Sequence, residues 1–197
     1  MLSAMRPPTF VHETAEVADG ATVGSGTKVW HQAQVLPGAI VGRDCTLGKG
    51  SFIGAGSVLG DRVKVGNYAN VFGAQVGDGA FIGPAVLLME DPAPRSLTVD
   101  GGRKGPQDWT PNPVTIGPGA TVGGGAAVLP GVVVGTHAFV AAASVVHRDV
   151  PDHAKVAGHP ARQVGWVCRC GQPLDEALCC GCGRTHSLAD GGLVEHA

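Results

Sequence analysis

The chain has 197 residues, a formal charge of −2 and 32 glycines, and only 5% of its residues are aromatic. This charge offers no large basic surface, so we expect no nucleic-acid partner. Residues 1–10 contain no apolar run of signal-peptide length, and no run elsewhere reaches the length of a membrane span. The sequence therefore predicts a cytoplasmic protein with no membrane association.

Aliphatic residues recur at every sixth position from Val11 to Val71. Glycine often follows directly, and a small residue usually stands four positions after the aliphatic one. Neither a helix nor a hairpin has this period, whereas a flat six-residue segment closed by a corner does. Three such segments per turn form a triangular prism with a thin aliphatic core and coils about 4.8 Å apart. The sequence therefore predicts an all-β fold, a parallel β-helix of hexapeptide repeats.

The repeat slips by one residue after Val71, continues to Leu88 and is then interrupted. Residues 89–113 contain five prolines and no sixfold pattern, and they are predicted to form a projecting loop. Long loops in compact domains commonly carry function. This loop begins near Glu90 and holds Arg95 and Arg103, whose guanidinium groups are suited to binding anions.

The repeat resumes at Ile116 and ends near Val150, which gives 20 hexapeptide units in six to seven turns. Residues 152–166 should cap the open end, because an uncovered coil exposes strand edges. We therefore assign residues 1–166 to the β-helix domain and residues 167–197 to a separate cysteine-rich tail.

The tail holds five of the six cysteines of the chain. Two tight thiol pairs, each followed by glycine, suit tetrahedral zinc in a reducing compartment. We predict a small zinc-ribbon-like module with a structural zinc ion on Cys168, Cys170, Cys179 and Cys182. Cys180 is an alternative to Cys179, and His186 is a weaker candidate. A reactive or disordered thiol tail is the competing interpretation.

His31, Lys49 and Asn67 are spaced by 18 residues, which is one turn of three hexapeptides. They should form a polar column along one edge of the prism, and this edge is a candidate substrate surface. Lys49 is suited to a phosphate or carboxylate, although a solvated edge is an equally simple explanation. By the same count Glu90 lies at a different corner.

Four short motifs accompany the repeat: Lys28-Val-Trp-His31, Gly83-Pro84, Pro94-Arg-Ser96 and Gly158-His-Pro-Ala-Arg-Gln-Val-Gly-Trp166. Over residues 8–167 the sequence resembles the hexapeptide acyltransferases, and most closely the UDP-2-acetamido-3-amino-2,3-dideoxy-glucuronate N-acetyltransferases. The resemblance implies a left-handed β-helix, a homotrimer, and transfer of acetyl from acetyl-CoA to the amino group of a UDP-amino sugar. In a trimer, neighbouring subunits can bring the edges of His31 and Glu90 together.

The resemblance also implies roles for individual residues. It places an asparagine near the reacting amine, where this chain has Glu90. A carboxylate there can accept the amine proton, so Glu90 and His31 are candidate catalytic residues. Lys49, Asn67, Arg95 and Arg103 are the candidate substrate contacts. Coenzyme A would lie along the later coils, with its phosphates near Arg162 and its pantetheine arm along the backbone amides of Ala142 and Ser144.

Two other functions are open. A γ-type carbonic anhydrase resembles this fold and places zinc between subunits with three histidines, and His147, His153 and His159 are six residues apart. Prolines interrupt the coil there, so we rank this function lower. A β-helix without catalytic activity would serve as a scaffold, and it would not need the long charged loop.

Overall fold

The structure, a computed structural model, describes residues 7–189 and 192–196. Fourteen two-residue strands precede the loop: β1 (Phe10–Val11), β2 (Glu16–Val17), β3 (Thr22–Val23), β4 (Lys28–Val29), β5 (Gln34–Val35), β6 (Ile40–Val41), β7 (Thr46–Leu47), β8 (Phe52–Ile53), β9 (Val58–Leu59), β10 (Lys64–Val65), β11 (Asn70–Val71), β12 (Gln75–Val76), β13 (Phe81–Ile82) and β14 (Leu87–Leu88). Six follow it: β15 (Thr115–Ile116), β16 (Thr121–Val122), β17 (Ala127–Val128), β18 (Val133–Val134), β19 (Phe139–Val140) and β20 (Val145–Val146). These 20 strands confirm the predicted number of hexapeptide units.

The strands stack into three parallel sheets, each formed by every third strand. The first sheet begins with β1, β4 and β7, the second with β2, β5 and β8, and the third with β3, β6 and β9. The whole is a left-handed β-helix, as expected. We call the turn from the first sheet to the second the first corner, the turn from the second to the third the second corner, and the turn back the third corner.

The core lies on the axis of the prism and is made by the second residue of each strand. Leu88, for example, is fully buried, whereas the preceding Leu87 is 38% exposed. Small corner residues such as Ala33 and Ala69 fill the space between these side chains. Glycines let successive coils approach closely, since a Cβ on Gly83 would lie 2.5 Å from the backbone nitrogen of Gly124. The repeat therefore reflects packing along one narrow column.

The predicted register slip is confirmed at the second corner after β11. Val65 pairs with Ile82, 17 residues on, whereas Val11 pairs with Val29 at the regular spacing of 18. Gly73, with a φ of +58°, forms the shortened corner. The core register is therefore preserved while the surface changes shape beside the loop.

The loop leaves the prism between β14 and β15, at the second corner, and contains the short 3₁₀ helix η1 (Pro106–Asp108). After the last coil, β21 (Ala154–Gly158) extends the first sheet beside β19, and β22 (Ala161–Trp166) pairs antiparallel with it. The tail ends in a hairpin of β23 (Thr185–Ala189) and β24 (Gly192–His196). Within the described ranges, no helix has the length and apolar character needed to cross a bilayer.

Candidate functional site

The predicted polar column lies on the first corner. His31, Lys49 and Asn67 line one groove of about 250 Å³ together with Trp30 and Lys64. The amide of Lys49 donates a hydrogen bond of 2.9 Å to Oδ1 of Asn67, which holds the asparagine side chain against the next coil. Two ammonium groups and an indole on one open surface are suited to a flat, anionic ligand.

His31 is stacked on a second histidine. Its ring centroid lies 3.5 Å from that of His12, whose Nδ1 is 3.0 Å from the hydroxyl of Thr14. His12 directly follows the first repeat aliphatic and was not among the predicted site residues. Both rings are partly open to solvent. The His31 imidazole is therefore held by stacking at the end of the groove nearest the first coil.

Glu90 lies in a different environment, at the base of the loop on the second corner. It lines a cavity of about 280 Å³ with the apolar side chains of Phe72, Met89 and Trp109, and with Asp91. Desolvation in this cavity, with a smaller contribution from the Asp91 charge, raises the pKa of the Glu90 carboxyl. A carboxyl in such surroundings is a better proton acceptor than one in water.

The shortened corner at Gly73 makes room for this carboxyl. A Cβ on Gly73 would overlap Oε2 of Glu90. The one-residue slip and the position of Glu90 are therefore parts of a single local arrangement.

Within one chain the structure does not bring Glu90 and His31 together. The groove and the cavity lie on different corners and have no residue in common. The two candidate catalytic residues therefore act on one substrate only if different subunits supply them.

Of the predicted loop cations, Arg95 is the nearer to Glu90. Arg95 and Lys104 line a cavity of about 340 Å³, which shares Asp91 and Trp109 with the Glu90 cavity. Arg103 is exposed, and its backbone pairs with that of Leu97 in the outer part of the loop. The structure thus places Arg95, and not Arg103, beside the candidate site.

The predicted coenzyme contacts fall on the later coils. Ser144 is fully buried, and its hydroxyl accepts a hydrogen bond of 3.2 Å from the amide of Gly158. This side chain therefore packs against β21, and the predicted contact of Ser144, which concerns its backbone amide, stays a prediction. Ala142 is exposed, and Arg162 lines an open groove of about 150 Å³ with Arg148.

The tail gathers four thiols, and one of them differs from the predicted set. Sγ atoms within 4.8 Å of one another belong to Cys168, Cys170, Cys180 and Cys182. Cys179 points elsewhere, with its Sγ 3.6 Å from the carbonyl oxygen of Ala177. Hydrogen bonds from the Arg184 amide, the Cys180 thiol and the Arg184 guanidinium lower the pKa of the Cys182 thiol to about 6. The sequence carries a signal for this cluster, because the tetrapeptide Cys-x-Cys-Gly occurs twice.

The three histidines considered for an anhydrase do not form a ligand set in the described part of the chain. The groups that could hold a metal there consist of the four cysteines and of Cys168 with His186 and Glu195. His153 is buried, and its Nδ1 lies 2.9 Å from the carbonyl oxygen of Val167. Its partners thus belong to the junction with the tail.

Known proteins with the same hexapeptide repeat are similar to this chain in sequence. The profile described as bacterial transferase hexapeptide (six repeats) matches residues 20–55. Nodulation protein L of Rhizobium meliloti (strain 1021) is 38% identical over 164 residues, which cover 74% of this chain and 80% of that protein. The chain belongs to the hexapeptide-repeat transferase family.

Other relatives of this hexapeptide transferase match shorter stretches. The dTDP-3-amino-3,6-dideoxy-alpha-D-galactopyranose 3-N-acetyltransferase of Aneurinibacillus thermoaerophilus is 42% identical over 76 residues, 37% of this chain and 40% of that enzyme. This chain therefore spans less than half of that relative. The acetyltransferase domain of PglB from Neisseria gonorrhoeae FA1090, solved in complex with acetyl coenzyme A, has a TM-score of 0.52 and 20% identity, over 82% of this chain and 60% of that one. This likeness concerns the fold.

Proposed function

We propose that this hexapeptide transferase moves an acetyl group from acetyl-CoA to the amino group of a nucleotide-linked 3-amino sugar. The observation that carries the proposal is the Glu90 carboxyl, desolvated among Phe72, Met89 and Trp109 at the base of the loop. The family of the chain and the activity for which the 3-N-acetyltransferase relative is named support the same reaction. The cysteines of the chain are free thiols, which is consistent with action in the reducing cytoplasm. A zinc ion bound in the tail would be structural and would take no part in acetyl transfer.

In the proposed reaction the sugar amine attacks the thioester carbonyl carbon, and the carbon–sulfur bond breaks. Glu90 accepts the proton that the amine loses, and the departing thiolate takes up a proton. Sugar 3-amines are less basic than lysine, so positioning supplies part of the rate and a carboxylate is a sufficient base. Arg95, in the adjoining cavity, is placed to hold an anionic part of the substrate.

The direct test is thiol release from acetyl-CoA with a panel of UDP- and dTDP-linked amino sugars. We expect release with 3-amino sugars and none with their 3-hydroxy counterparts. The panel also separates the two nucleotides, since the predicted subfamily uses UDP and the named relative uses dTDP. Failure of the pure protein to bind acetyl-CoA would refute acetyl transfer and favour the scaffold function.

The groove on the first corner is proposed to bind the nucleotide diphosphate through Lys49. Replacing it (Lys49→Ala) should raise KM for the sugar nucleotide about tenfold, the loss expected for a charge-assisted contact, with little change in kcat. Arg62→Ala is the matched control, because Arg62 is an exposed cation on the third corner. Steady-state kinetics at fixed acetyl-CoA measure the effect, and equal KM values for the two variants would contradict the role of Lys49.

We further propose a homotrimer in which the first corner of one subunit faces the loop of the next. Two inactive variants, His31→Ala and Glu90→Gln, should then restore activity when co-expressed. Random assembly of equal amounts gives about one quarter of intact sites, each formed by a subunit with His31 and a neighbour with Glu90. Activity of the doubly tagged, purified mixture measures this recovery. No recovery in mixed trimers would mean that His31 and Glu90 do not form one site across a subunit boundary.

A further inference from the structure

The tail consists of two copies of one turn, in residues 167–173 and 179–185. In the first copy Val167 pairs with Pro173, and two backbone hydrogen bonds close the turn, Cys168 N to Gln172 O (2.9 Å) and Gly171 N to Cys168 O (2.8 Å). The second copy repeats each contact twelve residues later: the pair Cys179–Thr185, Cys180 N to Arg184 O (2.9 Å) and Gly183 N to Cys180 O (2.9 Å). The glycines that close the two turns have φ values of +87° and +91°.

This internal repeat explains why Cys180 replaces Cys179 in the thiol cluster. Cys180 occupies the place of Cys168 in its turn, whereas Cys179 occupies the place of the buried Val167. Each turn thus presents two thiols, and the two turns face each other.

The spacing of the four sulfurs matches a tetrahedral metal site. The Sγ atoms of Cys168 and Cys182 are 3.6 Å apart, and those of Cys170 and Cys180 are 3.5 Å apart. A zinc–sulfur distance of about 2.3 Å gives sulfur–sulfur edges of about 3.8 Å in a tetrahedron. A disulfide would need about 2.05 Å. The thiols are thus unbonded and arranged around a common centre.

We propose that Cys168, Cys170, Cys180 and Cys182 bind one structural zinc ion, and that this ion holds the tail as an outer cap on residues 152–166 at the end of the β-helix. The proposal is independent of acetyl transfer. The described part of the tail buries few side chains, and so small a core needs a metal or another cross-link to fold.

The capping role follows from where the tail is attached. The amide of Val167 donates to the carbonyl oxygen of His153 (2.8 Å), and Nδ1 of His153 lies 2.9 Å from the carbonyl oxygen of Val167. Asp152 forms a parallel bridge with Gly192, where a Cβ would lie 2.5 Å from the Asp152 carbonyl oxygen. Cys168, a proposed metal ligand, directly follows Val167, which makes the hydrogen bonds to His153. Binding of the metal to Cys168 therefore also holds Val167 in its contact with His153.

A second set of potential ligands lies close by but is less suitable. Cys168, His186 and Glu195 also have ligand atoms within 4.8 Å of one another. The Glu195 carboxylate already faces the guanidinium groups of Arg169 (3.5 Å) and Arg184 (3.2 Å), whose charges oppose a cation there. The four-thiol set contacts Arg184, whose guanidinium nitrogen lies 3.3 Å from Sγ of Cys182, and four thiolates outweigh this single charge.

The zinc content of the purified full-length protein tests the site. We expect one zinc per chain in the wild type and in Cys179→Ser, and a loss of more than about tenfold in zinc affinity in Cys180→Ser. Replacement of zinc by cobalt should give the absorption of a tetrahedral thiolate site. Loss of zinc in Cys179→Ser but not in Cys180→Ser would overturn this ligand set. Loss in His186→Ala alone would favour the second set.

Hydrogen exchange of the folded wild type tests the cap and avoids variants that fail to fold. Removing zinc with a strong chelator should speed exchange in β21, which directly follows the anchor residues Asp152 and His153, and in β19, which pairs with β21. Exchange in β4 to β9 should not change. Re-addition of zinc should restore protection. Equal exchange in β19 and β21 with and without zinc would refute the capping role, even if the ion binds.

Discussion

Glu90→Gln should lower kcat for acetyl transfer by about 10²–10⁴-fold, the usual contribution of a positioned general base. The amide keeps the size and the hydrogen-bonding oxygen of the side chain but cannot accept the amine proton. KM for both substrates should change little, because the loss concerns the transition state and not ground-state binding. Steady-state thiol release with a 3-amino sugar nucleotide measures both quantities.

The pH profile distinguishes a base from a residue that only shapes the cavity. Glu90 must be ionised to accept a proton, and desolvation raises its pKa above the ordinary 4.5. Activity should therefore fall with decreasing pH at a value higher than for an exposed carboxyl, and Glu90→Gln should lack this limb. Asp91→Asn, on the neighbouring residue of the loop, is the control and should keep the limb. A limb that persists in Glu90→Gln would assign the base to another group, with His31 the first candidate.

The free energy of unfolding of Glu90→Gln shows whether its loss of activity comes from misfolding. A pKa that is raised in the folded state means that the folded chain holds the proton more tightly than the unfolded chain. The ionised carboxylate therefore destabilises the fold at neutral pH, and this cost disappears as the pH falls below the unfolded pKa. Glu90→Gln should accordingly be at least as stable as the wild type at neutral pH, although much less active. Such an exchange of stability for activity is typical of catalytic groups.

The fold could be predicted from the sequence because every coil packs the same types of residue into the same narrow core. An aliphatic side chain must enter a narrow axis at each sixth position, so the 20 strands appear directly in the chain as a period of six. The slip near Gly73 was visible for the same reason. The six-residue period does not determine the handedness of the β-helix, which was predicted from the family resemblance.

The site was less accessible, because it depends on side chains from different coils. The column of His31, Lys49 and Asn67 follows from simple counting, and the structure brings these residues to one groove. The apolar cavity around Glu90 does not follow from counting, because Trp109 reaches it from the far end of a loop without periodicity. The exchange of Cys179 for Cys180 depends on the exact spacing of two turns, and the doubled Cys-x-Cys-Gly motif shows it once the turns are compared.

A large loss of stability is expected for a substitution in the core, and two adjacent leucines of β14 provide a matched pair of sites. Leu88→Ala should lower the free energy of unfolding by about 2–5 kcal/mol, the cost of a cavity in a core that cannot collapse around it. The axis of the prism is narrow, and the stacked backbones that surround Leu88 are fixed by hydrogen bonds to the neighbouring coils, so relaxation should be small. Leu87→Ala removes the same atoms from the outer face and should cost about 1 kcal/mol or less.

Denaturant unfolding followed by circular dichroism, at one protein concentration for all variants, measures the difference between the two leucines. Equal concentration matters because association would stabilise the folded chain by mass action. If Leu87→Ala were the more damaging substitution, either the inward register of β14 would be wrong or Leu87 would be covered by a second subunit. Measuring both variants at two concentrations separates these explanations, because only the contact between subunits depends on concentration.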